Sequence, residues 1–453
     1  MIAPAALKGQ SSYNERVSAR CVSGLRDDRS CLRGRFATRD VFVSAVDIDV
    51  ERVARLSEGC ADRLDEGLAQ ALAAAISNKT IAFSNSIVRA SGPTAFVIAV
   101  QTPVDREGRP VRRHFRAAAD AVLACARPGD LIVLRSTVPI GTTRELADET
   151  RSRGLNLLVA ACPDRSVSGD NFREQFSVPA IVGGVDAEST RAAADLFARL
   201  GPAIPVASSE AAEAVKLFCN VQRDIQFATA NEFALACERL GLDFEEIRRA
   251  GGRMYPRFSL ARQGPVGGDC LSKDGFLLAA SLGGSPASLP LAYSARRLNL
   301  SLVDFVATAV CEHLEKMASL RPVVAILGVA FKGEPATLDQ RGSFGAALGE
   351  AIKGRLQNVE IRTWDPAMSS GEDDDLRQRT VSAADAVVLA NDHPLLTRMD
   401  LGGTAAQLRR GALIYDVCGR DLDVSSRLPN HVVLHGFGRR FAGGASVCGA
   451  PAS

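Results

Sequence analysis

Ala95-Phe96-Val97-Ile98-Ala99-Val100-Gln101-Thr102-Pro103 is an apolar run of strand length that stops at a polar pair and a proline. Proline cannot donate to a strand ladder and biases the residue before it towards extended backbone, so the strand ends near Gln101. Its continuous apolarity, in place of strict alternation, predicts a strand covered on both faces. The same pattern recurs on either side. Residues 41–46 are a short β-branched run closed by Asp47, with a helix opening near 48–56. Residues 131–135 form another run, closed by Ser136-Thr137-Val138-Pro139, after an alanine-rich helix at 116–126 and the turn Pro128-Gly129. Strands separated by helices of this length imply βαβ units and a mostly parallel sheet. Ligands of such sheets bind beyond the strand C-termini, where Asp47, Thr102, Ser136 and Thr137 fall.

Further on the pattern changes. Residues 208–240 contain almost no Gly or Pro and read as one long helix, outlasting an average domain helix and suited to a dimer surface. On it Lys216 and Asn220 share a face. Residues 297–321 read as a connecting helix, and a second α/β pattern follows, with strands at 323–327, 359–364, 386–389 and 413–417. The expected fold class is α/β, with two Rossmann-like doubly wound domains joined by a long central helix and a helical middle domain. The expected divisions are 1–39, an atypical and disordered arm; 40–204, an N-terminal domain; 205–305, a central helical and dimerisation domain; and 306–453, a C-terminal domain whose last stretch, from 437, reads as a frayed tail.

The strongest chemical signal is Gly264-Pro265-Val266-Gly267-Gly268-Asp269-Cys270-Leu271-Ser272-Lys273-Asp274. Glycines let backbone approach a ligand closely. A thiol in such a turn can be activated by Lys273 or by a helix N-terminus, since the thiolate is the reactive form. Taken alone, the turn reads more readily as a buried structural thiol.

Bulk properties narrow the classes. At 453 residues the chain needs more than one core. A net charge of +2 gives no reason to expect nucleic acid or an acidic membrane surface. Apolar runs are far shorter than a membrane span. Eleven cysteines without metal-ligand spacing, five histidines and no signal-peptide pattern suggest a reducing cytoplasm, free thiols and no metal site.

In this order, the pieces resemble the UDP-glucose/GDP-mannose dehydrogenase family of nucleotide-sugar 6-dehydrogenases, over residues 40–420. The resemblance is carried by Val46-Asp47-Ile48-Asp49, Ala99-Val100-Gln101-Thr102-Pro103, Ser136-Thr137-Val138-Pro139-Ile140-Gly141-Thr142-Thr143 and Cys162-Pro163-Asp164-Arg165. To these are added Lys216 with Asn220, Asn231-Glu232, the cysteine turn, Gly328-Val329-Ala330-Phe331-Lys332, Asp339-Gln340-Arg341-Gly342-Ser343 and Trp364-Asp365-Pro366. It implies an NAD-dependent four-electron oxidation of the sugar C6 alcohol to the uronic acid, for surface polysaccharide precursors, by a homodimer or higher homo-oligomer. Cys270 would form the thiohemiacetal and thioester, Lys216 would stabilise the oxyanion and Asn220 would add a hydrogen bond. Asp274 would position Lys216 or water, and Asp164 and Thr137 complete the catalytic set. Asp47, Thr102, Ser136, Thr137, Lys273 and Arg341 would meet NAD. Lys216, Asn220, Arg257, Gly268, Phe331 and Lys332 would meet the UDP-sugar. Cys162-Pro163-Asp164-Arg165 with Val266-Gly267-Gly268 most resembles the branch acting on UDP-N-acetylhexosamines, whereas Lys273 beside Asp274 is similar to the enzymes acting on UDP-glucose, a UDP-hexose.

The chain departs from the family in three places. Residues 1–39 hold neither a recognisable first strand nor a Gly-x-Gly-x-x-Gly turn, which implies as an alternative a dimeric nucleotide-sugar-binding remnant that no longer holds NAD. Asp164 stands where the family has Glu, and the approach to Gly267-Gly268 is one residue short. The plan of two domains with a helix Lys and Asn is also similar to β-hydroxyacid dehydrogenases, in which Cys270 would have no role.

Overall fold

The computed structural model describes residues 18–23, 41–60, 66–87, 92–284, 288–369, 374–419 and 428–439. Its residues gather into two compact units, Met1–Phe218 with Phe276–Ser285, and Cys219–Gly275 with Pro286–Ser453.

The first unit is built on an eight-stranded sheet: β1 (Ser18–Ser23), β2 (Val43–Val46), β3 (Ile81–Ser84), β4 (Thr94–Ala99), β5 (Leu131–Leu134), β6 (Leu158–Ala161), β7 (Ala180–Gly184) and β8 (Ala203–Pro205). The spatial order is β3-β2-β1-β4-β5-β6-β7-β8, parallel throughout except where β7 runs against β6. Its helices are α1 (Val50–Ser57), α2 (Glu66–Ser77), α3 (Arg113–Leu123), α4 (Thr142–Ser152), α5 (Asn171–Ser177) and α6 (Ala187–Ala198). Ala95 and Val97 of β4 enter one apolar cluster with Val43, Val133 and Phe197, while Phe96 and Ile98 enter another with Phe115, Ile132 and Leu146. Both faces of the strand are therefore covered, which is why its sequence does not alternate.

One expectation is corrected. The stretch 1–39 reads as an arm without a strand, yet Ser18–Ser23 forms an inner strand of this sheet. It pairs in parallel with β2 on one side (Arg20 opposite Ser44) and with β4 on the other (Arg20 opposite Phe96). Its composition, Ser-Ala-Arg-Cys-Val-Ser, carries no apolar run because the strand is specified by backbone ladders on both sides, a long-range pairing that outweighs local propensity. The rest of that arm lies outside the described residues, as does the tail beyond 439.

The second unit carries a five-stranded, all-parallel sheet: β9 (Val323–Leu327), β10 (Glu360–Trp364), β11 (Ala386–Leu389), β12 (Leu413–Asp416) and β13 (Val433–Gly436), in the order β10-β9-β11-β12-β13. That is the second common doubly wound order, with its switch point between β9 and β11. Val324 and Ile326 face a cluster with Val306, Val310 and Leu348, and Val323 and Leu327 face one with Val387 and Leu396.

Two helices cross the division in the chain. Helix α7 (Ser209–Leu240) runs 32 residues without Gly or Pro and stops at Gly241, whose φ of 65° a glycine adopts readily. The other is α9 (Asp269–Ser281). The second unit also holds α8 (Phe244–Gly252), α10 (Pro290–Met317), α11 (Phe344–Lys353), α12 (Asp374–Val381), α13 (Pro394–Thr397) and α14 (Leu401–Ala405). The helix expected at 297–321 is α10, which starts earlier because Pro290 takes its first turn, a position where the missing N–H costs nothing.

Candidate active site

In the second unit the cysteine turn becomes the entry to α9, whose first residue is Asp269 and second is Cys270. Cys270 is exposed. The first turn of a helix is where the positive end of its dipole lies, so the thiol stands at that end of α9. Gly267 and Gly268 lie under the loop that follows β9. A Cβ on Gly267 would meet the Gly342 carbonyl oxygen at 2.3 Å, and one on Gly268 (φ 87°) would meet the Phe331 ring at 2.8 Å. Only glycine passes at both positions.

Lys273 and Asp274 are both buried, and Lys273 Nζ lies 2.6 Å from Asp274 Oδ1. Asn220 Nδ2 donates to the other oxygen of Asp274 at 2.5 Å. Three polar groups named from sequence thus meet one turn along the helix from the thiol, Lys273 and Asp274 buried and Asn220 half-buried. Lys273 is the partner of this carboxylate.

Arg341 spans two carboxylates: its Nη1 reaches Asp269 Oδ2 at 3.0 Å and its Nη2 reaches Asp339 Oδ2 at 2.5 Å. Its carbonyl accepts from the Gly268 N–H at 3.2 Å. Arg341 therefore lies against the start of the cysteine helix. Lys332 Nζ sits 5.7 Å from the centre of the Phe331 ring, a cation on an aromatic face. Arg257 is exposed, its guanidinium 5.4 Å from the Tyr255 ring centre.

In the first unit Lys216 is buried on α7. Burial pulls the Asp164 carboxyl upwards, but the charges of Arg135 and Lys216 and hydrogen bonds from Ser166 outweigh it, and the group is held below the usual carboxylate range. Arg135 Nη2 reaches Asp164 at 3.0 Å and Gln175 at 2.7 Å. Sequence reading named Asp164 but not Arg135 or Gln175, which join it only through the fold.

The ends of β4 and β5 are laced together. Thr102 Oγ1 donates to the Thr137 carbonyl at 2.5 Å, and Ser136 Oγ donates to the Val100 carbonyl at 2.7 Å. The segment after Thr137 is held at its far end by Glu213, a buried residue of α7. The Glu213 carboxylate accepts from the Gly141 N–H at 2.6 Å, the Thr143 N–H at 2.8 Å and the Thr143 hydroxyl at 2.6 Å. It caps α4, whose own cap position is Gly141 (φ 99°) with no side chain to do so. Burial pushes the Glu213 carboxyl up to about 7 despite these donors. Nothing local in the sequence marks Glu213, because its partners lie some seventy positions away.

A dinucleotide fits this sheet at its ribose end. The order around β1 puts the switch point between β1 and β4, and Asp47 closes the neighbouring β2 with a buried carboxylate, the group a ribose diol needs. Asp47 Oδ1 also accepts the Asp49 N–H at 2.8 Å, which orients it, and Asp49 in turn caps α1. The glycines between β1 and β2 are Gly24 and Gly34, and they lie outside the described residues.

A first sheet of this order, an acidic β2 terminus and a second doubly wound unit together define a two-domain nucleotide-dependent dehydrogenase. The profile of the UDP-glucose/GDP-mannose dehydrogenase family matches the chain twice, its NAD-binding domain over residues 31–201 and its central domain over 210–301. The UDP-N-acetyl-D-mannosamine dehydrogenase of Pyrococcus horikoshii is 30% identical over 415 residues, covering 89% of this chain and 95% of that protein. The NDP-N-acetyl-D-galactosaminuronic acid dehydrogenase of Ralstonia nicotianae is 29% identical, covering 80% and 88%. The solved UDP-D-ManNAc dehydrogenase from Pyrococcus horikoshii superposes with a TM-score of 0.83 at 28% identity, covering 93% of this chain and 99% of that one. The chain belongs to the UDP-glucose/GDP-mannose dehydrogenase family. It is an NAD-dependent nucleotide-sugar dehydrogenase. Among the described residues no helix is long and apolar enough to cross a membrane.

Proposed function

We propose that the protein oxidises the C6 alcohol of a UDP-N-acetylhexosamine to the acid, through covalent adducts on Cys270. The observation that carries this is an exposed thiol on the first turn of α9, with the buried Lys273–Asp274 pair and half-buried Asn220 one turn further on. The relatives named for UDP-N-acetyl-D-mannosamine and for N-acetyl-D-galactosaminuronic acid support the sugar class.

NAD supplies the hydride acceptor for both oxidations, with Asp47 at its ribose. The alcohol loses a hydride to the cofactor and a proton to water, and becomes an aldehyde. The Cys270 thiolate adds to the carbonyl carbon, and the carbonyl oxygen becomes that of a thiohemiacetal. Loss of a second hydride and a proton from this adduct leaves a thioester. Water adds, the thiolate departs, and the acid is released, so that each sugar yields two reduced cofactors. Splitting the oxidation this way keeps the aldehyde bound throughout.

Lys216 supplies a fixed cation for negative charge on the C6 oxygen, and burial of that cation makes it effective. Asn220, held by Asp274, adds a hydrogen bond from its amide. Asp274, paired with Lys273, orients Asn220. Lys332, on the Phe331 ring, meets the phosphates or the sugar, and Gly268 lets the substrate pass close to the chain. Asp164, short and tied to Arg135, positions the water and is not the base. Thr137, with Thr102 and Ser136 fixing its backbone, borders the nicotinamide. Arg341 holds Asp269 and the helix start, and Arg257 borders the sugar. We also propose a homodimer or higher oligomer built on α7, a reading supported by its length and its exposed Phe218, Phe233 and Leu240.

Incubation with NAD and a panel of UDP-N-acetylhexosamines, UDP-glucose and GDP-mannose, followed by NADH absorbance, tests the reading. Two NADH per N-acetylhexosamine are expected. Reduction only with UDP-glucose or GDP-mannose would overturn the sugar class. Reduction with none would leave a nucleotide-sugar-binding scaffold.

A further inference from the structure

The segment that delivers Cys270 is held by a buried polar network. The Gly264 N–H donates to Asn231 Oδ1 at 2.8 Å, and Asn231 Nδ2 donates back to the Gly264 carbonyl at 3.0 Å, so the amide closes around one residue of backbone. Two positions on, the Val266 carbonyl accepts from Arg296 Nη2 at 3.2 Å. Both contacts lead to one carboxylate. Arg296 Nη1 reaches Asp224 Oδ1 at 3.0 Å. Asn231 Nδ2 also donates to Asn299 Oδ1 at 3.0 Å, and Asn299 Nδ2 donates to Asp224 Oδ1 at 2.8 Å and to the Asp224 carbonyl at 2.9 Å.

Asp224, Asn231, Arg296 and Asn299 are all buried. Burial pushes the Asp224 carboxyl up and the Arg296 guanidinium down, so each is ionised against its preference and depends on the other. Apolar side chains would join helices α7 and α10 at lower cost, because a buried ion pair is a weak source of stability. What apolar groups would not do is hold two carbonyls and one N–H of a glycine-rich turn. Further along, Gly267 and Gly268 are pressed against Gly342 and Phe331, and the Gly268 N–H is tied to the Arg341 carbonyl. The turn is therefore held by two sets of contacts just before the thiol.

We propose that Asp224, acting through Arg296 and Asn299, is a positioning residue that sets residues 264–266 and thereby the attack geometry of Cys270; this rests on the role given to Cys270 above. A point charge cannot replace the arginine, because one planar fork must reach both Asp224 and the Val266 carbonyl.

The test is Asp224→Asn, which keeps the size and one acceptor for Asn299 but removes the charge. Iodoacetamide labelling of the whole protein is followed by peptide mass mapping, with the exposed Cys60 as internal reference. The Cys270/Cys60 labelling ratio is expected to change by about fivefold or more, and kcat to fall by about ten- to a hundredfold with KM for NAD within about twofold, as a small misplacement of reacting groups does. Should Asp224→Asn not fold, Arg296→Lys keeps the ion pair and drops the second arm of the fork, and the same change in labelling is expected. A wild-type labelling ratio in whichever of the two variants folds overturns the proposal. Labelling needs no sugar and no turnover, so it decides the point even if no nucleotide sugar is oxidised, a result that would count against the reading of function alone.

Discussion

Asn220 and Asp274 meet at 2.5 Å, amide nitrogen to carboxylate oxygen, across two helices far apart in the chain, while Lys273 holds the other oxygen of the same carboxylate at 2.6 Å. The carboxylate has one neutral and one charged partner, and both it and the lysine are buried. The two partners are unequal, which makes their removal distinguishable.

Asp274→Ala leaves the Lys273 ammonium buried and unpaired. A loss of about 3–5 kcal/mol of stability is expected, against about 1 kcal/mol for Asn220→Ala, which removes a single neutral donor. Urea unfolding of both variants measures the difference. Equal losses would show that Lys273 finds another partner.

Cys270→Ala is expected to lower acid formation by about a thousandfold or more with NAD present, because no thioester can form. Its unfolding midpoint should match wild type, since the side chain is exposed. NADH release and product analysis on the purified variant report the first, and a thermal melt the second. Retained four-electron turnover would place this chemistry elsewhere.

Gly268→Ala puts a methyl group 2.8 Å from the Phe331 ring at a φ of 87°. Phe331 must swing away and Lys332, which rests on it, must follow. KM for the nucleotide sugar is expected to rise about tenfold, with a smaller change in KM for NAD. Initial rates at varied concentrations of each substrate separate the two.

Glu213 makes stability depend on pH. Its carboxyl stands at about 7 in the folded protein, above its ordinary value of 4.5, because it is buried. Between about pH 4.5 and 7 the folded state holds a proton that the unfolded state has lost, so stability falls as pH rises through this window. At about 1.4 kcal/mol per pH unit, the fall is roughly 3 kcal/mol for this group taken alone. Glu213→Gln should flatten the slope of unfolding free energy in that range, measured by urea titration at several pH values. An unchanged slope would assign the titration to another group.

Much of both the fold and the site follows from residues close together in sequence. The apolar runs ending in Gln101-Thr102-Pro103 and Ser136-Thr137 mark buried parallel strands, because a strand covered on both faces has no polar face to show. The absence of Gly and Pro from 209–240 marks α7, since either would interrupt it. The cysteine turn is legible because only glycine crosses under Phe331 and Gly342. These are properties of backbone conformation and of local burial, and the amino-acid order alone determined them. The tertiary structure decided β1, whose mixed sequence Ser-Ala-Arg-Cys-Val-Ser becomes an inner strand only through ladders to β2 and β4. It decided that Lys273 neutralises Asp274, that Arg135 and Gln175 take up Asp164, and that Glu213 caps α4. Each of these joins residues from separate elements, and hydrogen bonds and charges act over ångströms of space, a distance that position along the chain does not encode.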